Sequence, residues 1–234
     1  MDELLNKKKD FLSIIIPKLF RIVHKENSRG GKIGMEAGKG RERALISLFK
    51  QLISTEQKID GDMPDTFPEG DCIFKGIKKN ELISIKTYTG NGIKSGTDGI
   101  KICWTSDKDS CKKFVKDYLP IANILIINIP RHNKQNKWDN KQTFLYYIFL
   151  ETQLKIIEKL NNKNYLKIPK KGTNSRGICL SKNAIKELFN NKNTIKIPIR
   201  WNGERIDKDY DPEKRWKILV QEELKIFNKL KIVK

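Results

Sequence analysis

The sequence predicts an α/β (α+β) fold in which a central mixed β-sheet is flanked by helices. Two patterns carry this prediction: two short apolar strands joined by a basic turn in residues 71–88, and a largely apolar run at residues 121–129 that is bounded by prolines. The second run has the composition of a strand that is buried on both faces, and amphipathic helical patterns lie before and after it. With 234 residues, the chain is long enough to bury a full hydrophobic core.

The N-terminal part of the chain is predicted to be helical. An apolar helical stripe begins at Asp2 and continues for about 23 residues, and Pro17 predicts a kink or a break close to Ile16. Residues 31–40 are rich in glycine and are predicted to be a basic loop, because they fit neither the phosphate-loop nor the dinucleotide-binding pattern. A second amphipathic helix is expected at about residues 41–58.

Strands and turns dominate the middle of the chain. A turn-rich acidic loop precedes the first two strands, and a polar, glycine-rich loop leads from them to a third strand at residues 100–105. Ser106 or Asp107 can cap a helix that ends before Pro120. The buried strand at residues 121–129 follows, so the predicted order of elements is helix, strands, helix and buried strand.

The C-terminal part is predicted to contain three helices and one strand. The first is a strongly apolar helix at residues 143–160, and a second helix is capped by Ser181. A strand at residues 194–201 follows, and Asp211 with Pro212 opens a final helix.

The charge balance indicates a polyanionic partner. Lys and Arg number 48 against 28 Asp and Glu, which gives a net charge of +20. Nucleic acid is the leading candidate for such a partner, and a solvated lysine-rich surface is the alternative. The positive charge is concentrated towards the C-terminus, so residues 163–234 are interpreted as a basic subdomain that packs on a core formed by residues 1–162.

The cysteines and histidines argue against several classes of metal site. Four cysteines occur without a CxxC pair, which indicates neither zinc nor a disulfide framework, and two histidines are too few for a histidine-metal nuclease. The sequence also has no apolar stretch long enough for a membrane span and no secretory signal pattern. We therefore expect a cytoplasmic protein with no membrane partner.

The strand at residues 81–88 carries the candidate chemistry. Strand alternation puts Ser84 and Lys86 on the same face, and a lysine on an apolar strand needs a carboxylate or an anionic ligand nearby. Asp71, at the head of the neighbouring strand, can supply that carboxylate. The alternative is an ordinary edge strand with Lys86 in solvent and Asp71 capping a turn.

These residues resemble the PD-(D/E)XK nuclease superfamily, most nearly its type II restriction endonucleases. Asp71 stands at the position of the family's first acid, and Lys86, in the sequence Ser84-Ile85-Lys86, stands at the position of its lysine. A literal Pro64-Asp65 also occurs, but an apolar strand follows Asp71 directly. Ser84 occupies the place of the second acid, so another carboxylate must take that role, with Glu42 as the first candidate. Glu36 and Asp98 are the alternatives.

The resemblance implies a mechanism and partners. Mg²⁺ would be held by Asp71, by a second carboxylate such as Glu42 and by the carbonyl of Ile85, while Lys86 orients the attacking water. The expected reaction is sequence-specific cleavage of double-stranded DNA that leaves 5′-phosphate ends, and palindromic sites would favour a homodimer. A non-catalytic basic nucleic-acid-binding protein, or a repair or RNA nuclease, is the alternative.

Three polar loops are candidates for contacts with DNA bases and phosphates, although each is also compatible with an exposed turn. Their candidate residues are Asn91, Lys94, Ser95, Arg131, Asn133, Lys134, Lys171, Asn174 and Arg176.

Overall fold

The computed structural model of the protein describes residues 1–29, 32–34, 36–61, 63, 69–77, 79–90, 100–103, 107–168, 177–214, 217–218 and 220–221. In chain order, the elements are α1 (Asp2–Lys7), α2 (Lys9–Glu26), β1 (Ser28–Arg29), β2 (Lys32–Ile33), α3 (Ala37–Leu52), β3 (Lys58–Asp60), β4 (Cys72–Lys75), β5 (Asn80–Thr89), β6 (Lys101–Cys103), α4 (Lys108–Asp117), β7 (Asn123–Ile129), β8 (Lys141–Ile148), α5 (Leu150–Leu160), α6 (Asn162–Tyr165), β9 (Leu166–Lys167), β10 (Ile178–Leu180), α7 (Lys182–Asn190) and β11 (Ile195–Trp201).

The central sheet has six strands in the order β11-β8-β7-β5-β4-β3. All neighbouring strands are antiparallel except β5 and β7, which pair in parallel with Lys86 beside Ile126. Helices lie on both faces of this sheet, so the predicted α/β class with a central mixed sheet is confirmed. The predicted buried strand is β7, and every residue of β7 is buried.

Two hydrophobic clusters cover the two faces of the sheet and decide where each side chain of β5 points. On one face, Ile83 and Ile85 pack with residues of α2 and α3, among them Phe20 and Leu45. On the other face, the cluster contains residues of α4, α5, α6 and α7 and of the small sheet β6-β10-β9. Because side chains alternate along a strand, Ser84 and Lys86 point towards this second face.

One predicted element is wrong. The apolar run at residues 143–160 is not a single helix, because its first part belongs to β8 and only the part from Leu150 onwards forms α5. Strand β8 lies between β7 and β11 and is mostly buried, and its aromatic residues pack on both faces of the sheet. A continuous apolar run of this kind has no period that separates a buried strand from a helix.

The predicted boundaries of the N-terminal helices also need correction. The helical run breaks at Lys8. Pro17 lies inside α2, and its side chain is buried, as are those of Ile16 and Phe20. Burial of that helix face offsets the hydrogen bond that the proline cannot make. Helix α3 begins at Ala37, within the glycine-rich segment that was predicted to be a loop, and ends at Leu52.

Two glycines in α3 offer a matched test of this packing. A Cβ atom on Gly40 would lie 2.8 Å from Cγ1 of Val23, whereas a Cβ atom on Gly38 would meet nothing within 4 Å. We expect Gly38→Ala to stabilise the fold by up to about 1 kcal/mol through helix propensity, and Gly40→Ala to destabilise it by about 1–2 kcal/mol through the clash with stiff Val23. Urea unfolding of both variants measures the difference, and equal effects would contradict the close approach of α3 to α2.

The predicted caps of two helices and a predicted strand are confirmed. Asp107 caps α4 by accepting from the N–H of Ser110 at 2.7 Å, and Ser181 caps α7 by accepting from the N–H of Ala184 at 3.0 Å. The predicted strand at residues 194–201 is β11, and residues 212–214 are helical. The four cysteines are free thiols.

Strand β11 forms one outer edge of the described sheet and belongs to the segment that was interpreted as a C-terminal subdomain. It pairs with β8 along its whole length, so the sheet continues across the proposed division after residue 162, and that division stays a prediction. Along β11, Lys196, Pro198 and Arg200 are exposed and alternate with buried residues. Within the described ranges, no helix combines the length and apolarity that a bilayer crossing requires.

Candidate active site

Asp71 is held at the point where the chain enters β4. Its backbone N–H donates to the carbonyl of Ile83 at 2.9 Å, which joins it to the neighbouring strand β5. Its Oδ2 atom accepts from the N–H of Ile85 at 2.5 Å and from the hydroxyl of Ser84 at 3.3 Å. The Lys86 ammonium lies 3.4 Å from the same oxygen. The structure therefore brings Asp71, Ser84 and Lys86 together, as the strand alternation predicted.

The Asp71–Lys86 pair is partly buried and still reachable from solvent. The two side chains are 24% and 26% exposed, respectively. A charge at this depth is costly without a partner, and the two opposite charges here are paired. The alternative interpretation, in which Lys86 lies in solvent and Asp71 only caps a turn, does not agree with this ion pair.

A second carboxylate, Glu69, adjoins this group, and the sequence reasoning missed it. Glu69 has a φ angle of 56°, and its Oε2 atom accepts from the N–H of Ile121 at 3.3 Å. Burial raises the pKa of the Glu69 carboxyl, while the hydrogen bond from Ile121, the neighbouring Tyr118 hydroxyl and the charge of Lys86 oppose that rise. Glu69 shares a small recess with Ser84, Lys86, Ile102, Tyr118, Ala122 and Ile124.

The signal that could have pointed to Glu69 is its position two residues before Asp71. The residue lies in an irregular acidic loop, where no periodicity indicates the direction of a side chain. In the structure, Asp71 and Glu69 both adjoin Ser84 and Lys86. Two carboxylates are the kind of oxygen donors that Mg²⁺ takes from a protein when water and substrate phosphate complete its coordination.

No cluster of three or more His, Cys, Asp or Glu side chains suited to a metal ion occurs in the part of the chain that the structure describes. A metal site at Asp71 would therefore rely on two carboxylates and on other oxygen donors. The backbone carbonyl of Ile85 remains the predicted third donor from the protein. This donor set fits Mg²⁺ better than zinc, which prefers nitrogen and sulfur ligands.

Glu42, the first candidate for the second carboxylate, lies on α3. Leu45 and Phe49 of that helix pack with Ile83 and Ile85, on the face of the sheet opposite to Lys86. Glu42 is half-buried there, and its assignment as a metal ligand stays a prediction. Glu36 is exposed at the start of α3.

Among the predicted DNA contacts, the structure describes only those of the loop that follows β7. Arg131 and Lys134 are exposed. The Asn133 amide donates to both carboxylate oxygens of Asp139, at 2.8 and 2.9 Å, and its own oxygen accepts from the N–H of Lys137, so this side chain stabilises the turn. The other predicted positions lie outside the described residues: Asn91, Lys94, Ser95, Asp98, Lys171, Asn174, Arg176 and the literal Pro64-Asp65 pair.

Glu81 lies on the other face of β5, where it is held by hydrogen bonds inside the protein. It is buried, and its Oε2 atom accepts from the hydroxyl of Tyr147 at 2.6 Å and from the amide of Asn123 at 3.3 Å. Strand alternation puts Glu81 on the face opposite to Ser84 and Lys86, and these contacts agree with that position, so Glu81 is not the missing acid.

His24 is buried and neutral. Arg41 donates to its Nε2 atom from Nε at 3.0 Å and from Nη2 at 2.8 Å, so the proton of the imidazole lies on Nδ1, which donates to the carbonyl of Arg205 at 3.0 Å. Burial, together with the charge of Arg41, lowers the pKa of His24 to about 3.

This lowered pKa predicts a loss of stability in mild acid. The unfolded chain takes up a proton on His24 near pH 6.5, whereas the folded chain does so only near pH 3. The free energy of unfolding should therefore fall as the pH drops from 6.5, by about 2 kcal/mol at pH 5. His24→Gln keeps an acceptor for Arg41 and should flatten this pH dependence. Urea unfolding of both proteins at pH 7 and pH 5 measures it, and equal pH dependence would contradict the assignment.

The family model "Restriction endonuclease ThaI" matches residues 5–222. The chain belongs to this family. The ThaI family assignment confirms the predicted resemblance to restriction endonucleases, and it makes the protein a member of a family of DNA nucleases.

A solved structure of a restriction endonuclease is also similar to this chain. A chain described as "Restriction endonuclease in complex with substrate DNA" is similar to this protein, with 30% sequence identity and a TM-score of 0.76, over 94% of this chain and 98% of that one. The likeness therefore extends over the whole fold and is not confined to the sheet that carries Asp71 and Lys86. No match was found among curated protein sequences.

Proposed function

We propose that the protein is a Mg²⁺-dependent type II restriction endonuclease that cleaves a specific sequence in double-stranded DNA and leaves 5′-phosphate ends. The observation that carries this proposal is the convergence of Ser84, Lys86 and the N–H of Ile85 on one oxygen of Asp71. Family membership supplies the reaction class. The net charge of +20 supports a polyanionic substrate.

Each site residue has a role that its position supports. Asp71 and Glu69, or Glu42 in place of Glu69, would hold a Mg²⁺ ion, which supplies electrostatic stabilisation of the charge that develops on the scissile phosphate. The Lys86 ammonium is placed to orient the attacking water and to offset that negative charge. The hydroxyl of Ser84 donates to Asp71, so it fixes the carboxylate and does not replace the missing acid.

Double-stranded DNA is the proposed partner, and a homodimer is the proposed assembly. The solved relative was described with its substrate DNA, which supports a duplex as the substrate of this chain. Cleavage of both strands at a palindromic site requires two active sites related by two-fold symmetry, and a dimer of identical chains supplies them.

Digestion of plasmid DNA tests the proposal. The purified protein should give discrete fragments with Mg²⁺ and none with EDTA, and the fragment ends should accept labelled phosphate from polynucleotide kinase only after phosphatase treatment. A smear would indicate a nonspecific nuclease. If the protein binds the DNA but does not cleave it, the non-catalytic alternative is supported. If the fragment ends are labelled without phosphatase treatment, they do not carry 5′-phosphates.

A further inference from the structure

A cavity separate from the Asp71 recess lies where β5 and β7 end. Its volume is about 290 Å³, and its wall includes Thr89 and Ile129, the last residues of these two strands. Most of its polar lining is basic, and the residues concerned are His24, Arg41, Arg131, His132 and Arg205.

The three arginines of this cavity have no acidic partner among the described residues. Arg41 donates to neutral His24 and to the hydroxyl of Thr87 at 3.4 Å. Nε of Arg205 is buried and has no hydrogen-bond partner in the described part of the chain. Arg131 is exposed at the mouth of the cavity. Guanidinium groups that converge without a carboxylate repel each other, and an anion between them would relieve that repulsion.

The electrostatics of Arg41 agree with a missing counter-ion. Burial, and then the positive charge of Arg205, lowers the pKa of Arg41 to about 10, so the group is still a cation at neutral pH. His24 cannot offset this charge, because it is a neutral acceptor whose hydrogen bonds orient the guanidinium group of Arg41. The side chains are thus positioned before any ligand arrives.

We propose that this cavity binds one phosphodiester group of the DNA backbone, at a position that flanks the scissile phosphate. The proposal rests on the proposed DNA cleavage and adds a second phosphate site to it. Three cationic groups suit a phosphate better than a neutral base edge, and the arginine fork matches phosphate oxygens in a bidentate manner. Thr89 follows Lys86 by three residues on β5, and strand alternation points the two side chains to opposite faces of the sheet, so the proposed phosphate site lies past Lys86 at the end of the strand and on the other face.

The salt dependence of DNA binding tests this site. We would measure the affinity for a labelled duplex of random sequence, without divalent metal, over a series of salt concentrations for wild type, Arg131→Gln, Arg205→Gln and the control Arg200→Gln. Arg200 is an exposed arginine on β11 that does not line the cavity. Each of the two cavity variants should bind DNA about tenfold more weakly than the control. The salt slope, which is the slope of the logarithm of the affinity against the logarithm of the salt concentration, should fall in magnitude by about 1 more than it does in the control, because one phosphate contact is lost.

The other outcomes separate failure of this site from failure of the proposed function. If wild type cleaves plasmid DNA and the cavity variants keep the salt slope of Arg200→Gln, the phosphate site is wrong and the nuclease proposal stands. If the variants lose affinity for some sequences only, with an unchanged slope, the cavity reads a base edge instead. If wild type binds DNA without cutting it and the slopes fall as expected, the cavity proposal stands alone. Arg131 is exposed, so Arg131→Gln should fold even if Arg205→Gln does not.

Discussion

Replacing Lys86 with alanine is expected to lower the rate of DNA cleavage by about 100-fold or more and to leave the affinity for DNA within a few-fold of wild type. The ammonium group lies 3.4 Å from Asp71 and lines the recess that also contains Glu69, so it adjoins both carboxylates of the proposed metal site. Loss of one group that stabilises the transition state typically costs this much in rate, whereas a single lysine adds little to the affinity of a protein of net charge +20. Single-turnover cleavage and equilibrium binding, measured on the same plasmid fragment, report the two quantities separately.

Lys79→Ala is the matched control for this experiment. Lys79 is exposed just before β5, and its ammonium group lies 3.8 Å from the buried Glu81, so its loss removes the same charge from the opposite end of the strand that carries Lys86. We expect this variant to cleave at close to the wild-type rate. If Lys86→Ala cleaves DNA at the wild-type rate, Lys86 has no role in the mechanism. If this variant loses both DNA binding and cooperative unfolding, the ion pair with Asp71 is needed for the fold.

Glu69→Gln is expected to reduce cleavage by about 100-fold or more and to raise the Mg²⁺ concentration needed for the remaining activity. The substitution keeps the size of the side chain and can still accept the N–H of Ile121, but it removes the negative charge that a hard cation requires. Cleavage rates over a Mg²⁺ titration measure both effects. Glu151→Gln, which alters an exposed glutamate on α5, is the control and should match wild type.

The same titration with Glu42→Gln decides between the two candidate carboxylates. Glu69 shares the recess with Ser84 and Lys86, whereas Glu42 lies on the helix that covers the other face of the sheet, so the larger loss is expected for Glu69→Gln. The opposite ranking would show that Glu42 reaches the metal around the end of the strand. In that case Glu69 would have only the structural role of joining its loop to Ile121.

The sequence was informative where a local period determines the direction of a side chain. In β5, a period of two put Ser84 and Lys86 on one face and Glu81 on the other, and the contacts of all three agree with that alternation. Helix caps were equally local, because the side chains of Asp107 and Ser181 each accept from an N–H group three residues later. The fold class followed from these elements and from the fully buried strand β7.

The sequence was less informative where distant contacts decide the structure. Residues 141–148 form a strand because β7 and β11 pair with them on either side, and β11 follows in the sequence only after α5, α6 and α7. Glu69 and Lys86 line the same recess although they lie 17 positions apart in the sequence, and no local pattern links the two. The cavity joins Arg41 on α3 to Arg205 near the C-terminus, and no local pattern links these two residues.

The exposed residues of β11 have a consequence for self-association. A sheet edge with free backbone groups can accept a strand from another molecule, and natural proteins discourage this with proline and with positive charge. Pro198 supplies no N–H group, and Lys196 and Arg200 on either side of it would repel the same strand of a second copy. A dimer that joined two sheets into one continuous sheet along this edge is therefore disfavoured, and the proposed two-fold partner has to associate through a different surface.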